Sequence, residues 1–376
     1  MAFDLLIKNG MVIDPISKIH RKYDIAVDAG RIFSIHCPED FGLENSAKDM
    51  LDVQGSLVTP GLIDLHTHVF PDDAELGIGA DLVGVQQGVT TLVDAGSAGA
   101  VTFPRFVTNV VEKNTTQVLA WINIAGDGLC SGRDELSDLT KLDKENVAER
   151  IGQYPIIRGI KVRMSSSVLG NSGLEPLKIA KTLSREVGLP LMVHIGNGPP
   201  ELGDILDVLD AGDVLTHAFH GKKGGIFKGD EILPEVRQAL KRGILFDVGH
   251  GNSSFSVQTL QKAQRAGIKP YSISTDIYLA NFNGPVYSLT TTLSKFLALD
   301  FSLDEVIAAT TVAPASILGM EHEIGSLQVG RIADISILTI EDGVFEFIDA
   351  ENKTFKGRQL LQAKFTIKAG KVLKCR

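Results

Sequence analysis

Through the interior of the chain, short apolar runs rich in β-branched residues alternate with longer stretches whose apolar residues recur at spacings of three and four. The first pattern suits a buried strand and the second an amphipathic helix, so together they predict parallel strands joined by crossover helices. Eight strands are predicted: Gly61–His66, Thr90–Asp94, Gln117–Ile124, Ile156–Val162, Leu189–His194, Asp213–His217, Ile244–Val248 and Pro270–Ser274. Leu174–Val187 and Glu231–Arg242 are two of the intervening helices. Eight strands inside a ring of helices make an α/β fold of the closed (β/α)8 TIM-barrel kind. An open doubly wound sheet is the competitor. It fits less well, because the strands often end in polar residues and no Gly-x-Gly-x-x-Gly turn follows the first.

Both ends of the chain read as β structure. Residues 3–13 predict two short strands around Asn9-Gly10, a dipeptide that supplies the positive φ angles of a type I′ hairpin. Ala29-Gly30 and Ala369-Gly370 are flanked by strand-like runs in the same way. The two ends are therefore predicted to form one small β-sandwich, from residues 1–58 and 325–376, with the barrel in 59–324 between them.

Composition narrows the function classes. Of 376 residues 44% are hydrophobic and 22% charged, enough to bury a barrel and a companion domain, and disorder is not expected. The net charge of −9 provides no positive field to gather nucleic acid or anionic lipid, so a small-molecule substrate is expected. Cys37, Cys130 and Cys375 are odd in number and lack metal-type spacing, which fits a reducing compartment. Met1-Ala2-Phe3-Asp4 carries an acid where a signal peptide has a basic flank, and no apolar run reaches the roughly 18 residues of a membrane span. A cytoplasmic protein is expected.

The candidate chemistry gathers at strand ends. His66 and His68 close the first strand two residues apart, so both imidazoles share a face and can address one ion. His194 and His217 end the fifth and sixth strands, and Asp276 follows the eighth. These are carboxyl ends, where barrel loops build active sites. Lys161 interrupts an otherwise largely apolar strand. Either its stem packs while its head reaches solvent, or burial leaves a neutral amine that can add carbon dioxide to become a carbamate able to bridge two cations. Five ligands converging from other strands favour the second.

With these residues the chain resembles the amidohydrolase superfamily, and within it the dihydroorotase-like, binuclear-zinc subgroup. The matching pieces are Thr59-Pro60-Gly61-Leu62-Ile63-Asp64-Leu65-His66-Thr67-His68, Gly88-Val89-Thr90-Thr91, Lys161, His194, His217 and Asp276, with Lys8-Asn9-Gly10 and Gly325–Gly330 at the ends. The resemblance implies one metal held by His66, His68 and Asp276 and another by His194 and His217. It also implies a bridging N6-carboxylysine at Lys161. Two zinc ions per chain are expected, with manganese or cobalt tolerated. Gly159-Ile160-Lys161-Val162-Arg163 and Thr216-His217-Ala218-Phe219-His220-Gly221 are similar to a deacetylase-like group often labelled dihydroorotase. Dihydroorotases themselves usually carry an arginine just after the His-x-His pair, where this chain has Val69-Phe70-Pro71.

Other residues leave two readings open. Arg163 either shares the face of Lys161 and holds a substrate carboxylate, or bonds a neighbouring acid in a loop. His220 and His250 either donate to a substrate oxygen at the barrel mouth or stand by. Gly96-Ser97-Ala98-Gly99 reads as a strand-to-helix loop. The expected reaction is metal-assisted hydrolysis with Asp276 as proton shuttle, acting on a small anionic acylated α-hydroxy or α-amino acid. The substrate charge follows from counting: two dications, less one each for carbamate, Asp276 and hydroxide, leave about +1. A homo-oligomer is expected. Hydrolysis of a cyclic amide, and a non-catalytic barrel scaffold, are the alternatives; scaffold relatives lose metal ligands, whereas all six are present here.

Overall fold

The computed structural model describes residues 3–37 and 47–376. Seven parallel strands lie side by side in chain order: Leu62–Thr67, Val89–Gly99, Gln117–Asn123, Ile157–Met164, Leu191–Ile195, Val214–Thr216 and Leu245–Phe246. Residues 270–277 stand in the eighth place. They touch both edges of the sheet through single parallel bridges, Asp247 to Ser272 and Thr67 to Ile277, and so close the ring. The eighth strand expected at Pro270–Ser274 lacks regular pairing, and two residues beyond it Asp276, with a φ of 49°, breaks the extended backbone. Parallel strands buried on both faces need continuous apolar sequence. Leu65, Val93, Leu119, Trp121, Met192 and Val214 supply it in one buried cluster.

The helices follow the predicted pattern. Glu175–Val187 buries Leu177, Ala180 and Leu183 and ends on left-handed Gly188. The second predicted helix begins at Pro234 instead of Glu231. Proline at the first turn fixes the start, and Glu231–Ile232 instead pairs with Phe227–Lys228. Among the described residues no helix is long and apolar enough to cross a membrane.

Both chain ends share a second sheet. Its order is Lys371–Lys374, Thr354–Lys368, Ile335–Ile348, Leu57–Pro60, Phe3–Asp14, Ile19–Asp28 and Arg31–His36, with Ala47–Asp52 also paired to Phe3–Asp14. The pairing joins all eight strands in one sheet; two separate facing sheets are not seen in it. Ala29-Gly30 and Ala369-Gly370 turn as expected, each with positive φ at both positions. Asn9-Gly10 does not. Phe3–Asp14 is one continuous strand, and the dipeptide is an irregularity in its pairing between Ile7 and Gly10. Asn9 takes a positive φ there, with its N–H on Asp24 Oδ1 at 2.8 Å. Gly10 is required because Leu57–Pro60 runs close by: an added Cβ would lie 2.4 Å from Val58 Cγ2. Gly10→Ala is expected to lower stability by about 1–3 kcal/mol through overpacking. Urea unfolding checks this, and an unchanged midpoint would mean that Val58 yields.

Candidate metal centre

All six predicted ligands meet at one end of the ring. His66 lies at the end of the first strand and His68 just past it, Lys161 and His194 lie in the fourth and fifth, His217 follows the sixth, and Asp276 sits in the closing segment. Lys161 Nζ is 3.0 Å from His66 Nε2. Asp276 Oδ1 is 3.4 Å from His66 Nε2 and 3.2 Å from His68 Nε2, and Oδ2 is 4.0 Å from His217 Nε2. The rings of His194 and His217 stand nearly perpendicular with centroids 4.4 Å apart. His217 and Asp276 both adopt left-handed backbone, φ 65° and 49°, which costs energy in non-glycine residues and collects at functional sites.

The rings are aimed from behind. His66 Nδ1 meets Thr216 Oγ1 at 2.9 Å, and Thr216 donates in turn to buried Asp247 at 2.7 Å. His68 Nδ1 lies 2.9 Å from Ser97 Oγ, and His217 Nδ1 donates to the Gly249 carbonyl at 2.6 Å. Each Nδ1 is thus engaged, which turns Nε2 towards the centre, as metal-binding imidazoles require.

Protonation suits a cation. Burial holds the His66 and His194 imidazoles well below their usual range and lowers His217 to about 3, so their lone pairs are free at neutral pH. Burial likewise drops Lys161 to about 7, with Asp276 opposing and Arg163 assisting. At Asp276 burial acts upward but is outweighed by the His68 hydrogen bond and the electrostatic pull of the His217, His68 and Lys161 side chains, leaving the carboxyl below its usual value. His217 Nε2 is buried with no hydrogen-bond partner, an orphan that costs energy unless something coordinates it. His66, His217 and Asp276 each bring a ligand atom within 4.8 Å of the others. The donor set and its geometry fit a divalent metal.

The amidohydrolase family profile matches residues 57–373. The chain belongs to the amidohydrolase family. It is a metal-dependent hydrolase. A protein of Enterococcus faecalis named deacetylase is 37% identical, over 99% of both chains. Two solved structures are similar along almost the whole chain. One titled adenine deaminase has a TM-score of 0.92 at 36% identity, covering 99% of this chain and 100% of its own. One titled dihydroorotase has a TM-score of 0.91 at 29% identity, covering 99% of each.

In this amidohydrolase the ligand cluster opens into a cavity of about 190 Å³, which Arg133, Arg163, Ser165, Asn197, Lys222 and Tyr278 help to line. Arg163 reaches the cavity but is held by buried Glu135 at 3.0 and 3.2 Å. Both readings of it therefore meet in one side chain, and its charge is largely spent on Glu135. His220 is not brought to this cavity; it lines an adjoining one, and its Nδ1 accepts from the Lys222 N–H at 3.0 Å. His250 does not reach the cavity either, because its buried ring is turned towards Lys295, 2.8 Å away.

Several residues escaped the sequence reading. Ser97, placed there in a strand-to-helix loop, belongs to the second barrel strand. Lys222 and Arg133 lie in loops that no periodicity distinguishes. Asp94 and Asp247 did leave a signal, as carboxylates in apolar strands: Asp94 accepts from the N–H groups of Val69 and Ser97, and Asp247 anchors Thr216.

Proposed function

We propose that this amidohydrolase removes an acyl group, first of all acetyl, from a small acylated α-hydroxy or α-amino acid. The observation that carries the reading is a converging set of imidazoles, one carboxylate and one buried lysine at a small cavity whose other charged residues, Arg133, Arg163 and Lys222, are cationic. The deacetylase of E. faecalis supports the acyl specificity. His66, His68 and Asp276 would hold one divalent cation and His194 and His217 another. Lys161 would share its carbamate oxygens between them. When bound, the ions supply an acidified water and polarise the scissile carbonyl.

The protein groups do the rest. The Lys161 amine, half neutral near pH 7, adds carbon dioxide and loses a proton to become the carbamate. Asp276, held ionised, takes a proton from the attacking water and passes it to the leaving alkoxide or amine. Lys222 and Arg133 hold the substrate carboxylate, a role the sequence had offered to Arg163. Lys222→Met is expected to raise KM for a carboxylate-bearing substrate about tenfold, the scale of one lost hydrogen bond to a charged group. Its kcat should change little. Steady-state kinetics check this, and an unchanged KM would place the carboxylate elsewhere.

Hydrolysis of a cyclic amide is the second reading, favoured by the neighbour titled dihydroorotase. Against it, Val69 and Phe70 after His68 are fully buried and bring no cation beside the histidine pair. Zinc-loaded protein assayed with N-acyl and O-acyl acids of both hands, hydantoins, dihydropyrimidines and adenine separates the readings. Acid release from the acylated substrates supports deacylation; turnover confined to the rings overturns it.

A further inference from the structure

The turn Gly249-His250-Gly251 follows the seventh barrel strand and meets two of the proposed ligands with backbone alone. The Gly249 carbonyl accepts the hydrogen bond of His217 Nδ1 at 2.6 Å. A Cβ on Gly249 would lie 2.7 Å from that nitrogen, and one on Gly251 would lie 2.6 Å from Asp276 Oδ2. Both glycines are left-handed, φ 49° and 54°, as are the two residues they support. Such local strain persists only where the surroundings over-determine it.

Here the surroundings are one buried pair. The His250 ring lies against Phe255, centroids 4.7 Å apart, and its Nδ1–H donates to the Gly251 carbonyl at 2.7 Å. Its Nε2 accepts from Lys295 Nζ at 2.8 Å. Lys295 comes from the helix Leu289–Leu297, is fully buried, and also donates to the Pro285 carbonyl at 2.6 Å. An apolar side chain would be far cheaper to bury there.

We propose that Lys295 is a positioning residue: through His250 it locks the Gly249-His250-Gly251 turn, and through the turn it fixes His217 Nε2 and the Asp276 carboxylate. The inference rests on the proposed function, since it assigns those two groups to metal and proton. Lys295→Met and His250→Phe each cut the link while preserving bulk. Each is expected to lower kcat and zinc affinity about 10- to 100-fold, the usual effect of losing a group that orients a ligand. KM should stay within about threefold, because substrate contacts are untouched. The double variant should be no worse than the poorer single one, because both act through one contact.

Zinc affinity is measured by chelator competition, and circular dichroism shows which variants are folded. A folded Lys295→Met with wild-type kcat and zinc affinity overturns the inference, and so do single losses that multiply in the double variant. Should Lys295→Met not fold, His250→Phe is held to the same kcat and affinity outcomes. Wild-type protein that binds no zinc would instead overturn the proposed function.

Discussion

Lys161→Ala is expected to lose bound metal and activity together, with kcat/KM down at least about 100-fold. Lys161 is completely enclosed, and its Nζ lies between His66 Nε2 and the sulfur of Met192, at 3.0 and 3.4 Å. A charged ammonium among four histidines would repel any cation placed there; a carbamate on the same nitrogen would reverse the sign and supply oxygen ligands. The alanine variant leaves room for a short carboxylic acid, so acetate or propionate should restore part of the activity in a dose-dependent way. Lys161→Arg should not be rescued, because guanidinium stays cationic. Only the neutral amine adds carbon dioxide, and burial has brought Lys161 down to about 7. At a fixed concentration of dissolved carbon dioxide, reactivation of metal-free protein by zinc should therefore quicken as pH rises through about 7 and then level off. Elemental analysis and kinetics of the variant are the check. Two metals and ordinary turnover in Lys161→Ala would reduce Lys161 to a packing residue.

Asp276→Asn is expected to keep most of the metal and lose at least about 100-fold in kcat, the usual scale of a missing general acid or base. The isosteric change leaves the backbone anchored: the Asp276 N–H donates to the His66 carbonyl at 2.7 Å, and its own carbonyl accepts from Asn281 Nδ2 at 2.8 Å. An amide in the same place can still offer one oxygen to a cation but cannot take a proton. The decisive comparison is kcat against metal content in one preparation. Near-normal turnover with full metal would place the base elsewhere.

Much of this centre was legible because a barrel strand is apolar until it reaches the mouth. His66, His194 and His217 each end such a run, and Lys161 stands out as a charge within one. What the sequence left hidden depends on neighbours remote along the chain. Asn9-Gly10 has the same local chemistry in a hairpin and in an interrupted strand, and only the approach of Val58 decides between them. His250 occupies a strand end much as His217 does, yet Lys295, from a later helix, draws it inward. Ser97 and Thr216 aim the imidazoles, but a serine or threonine in a strand announces nothing until its partner is known. Arg163 was read as either a substrate anchor or a partner to an acid, and Glu135 engages it without removing it from the cavity.

The central claim is that the six side chains hold two divalent ions. Elemental analysis of folded protein prepared with zinc and bicarbonate tests it most directly. The account predicts about two equivalents of metal per chain, as in other two-metal hydrolytic sites. A folded protein that binds none, or saturates at one, would contradict it.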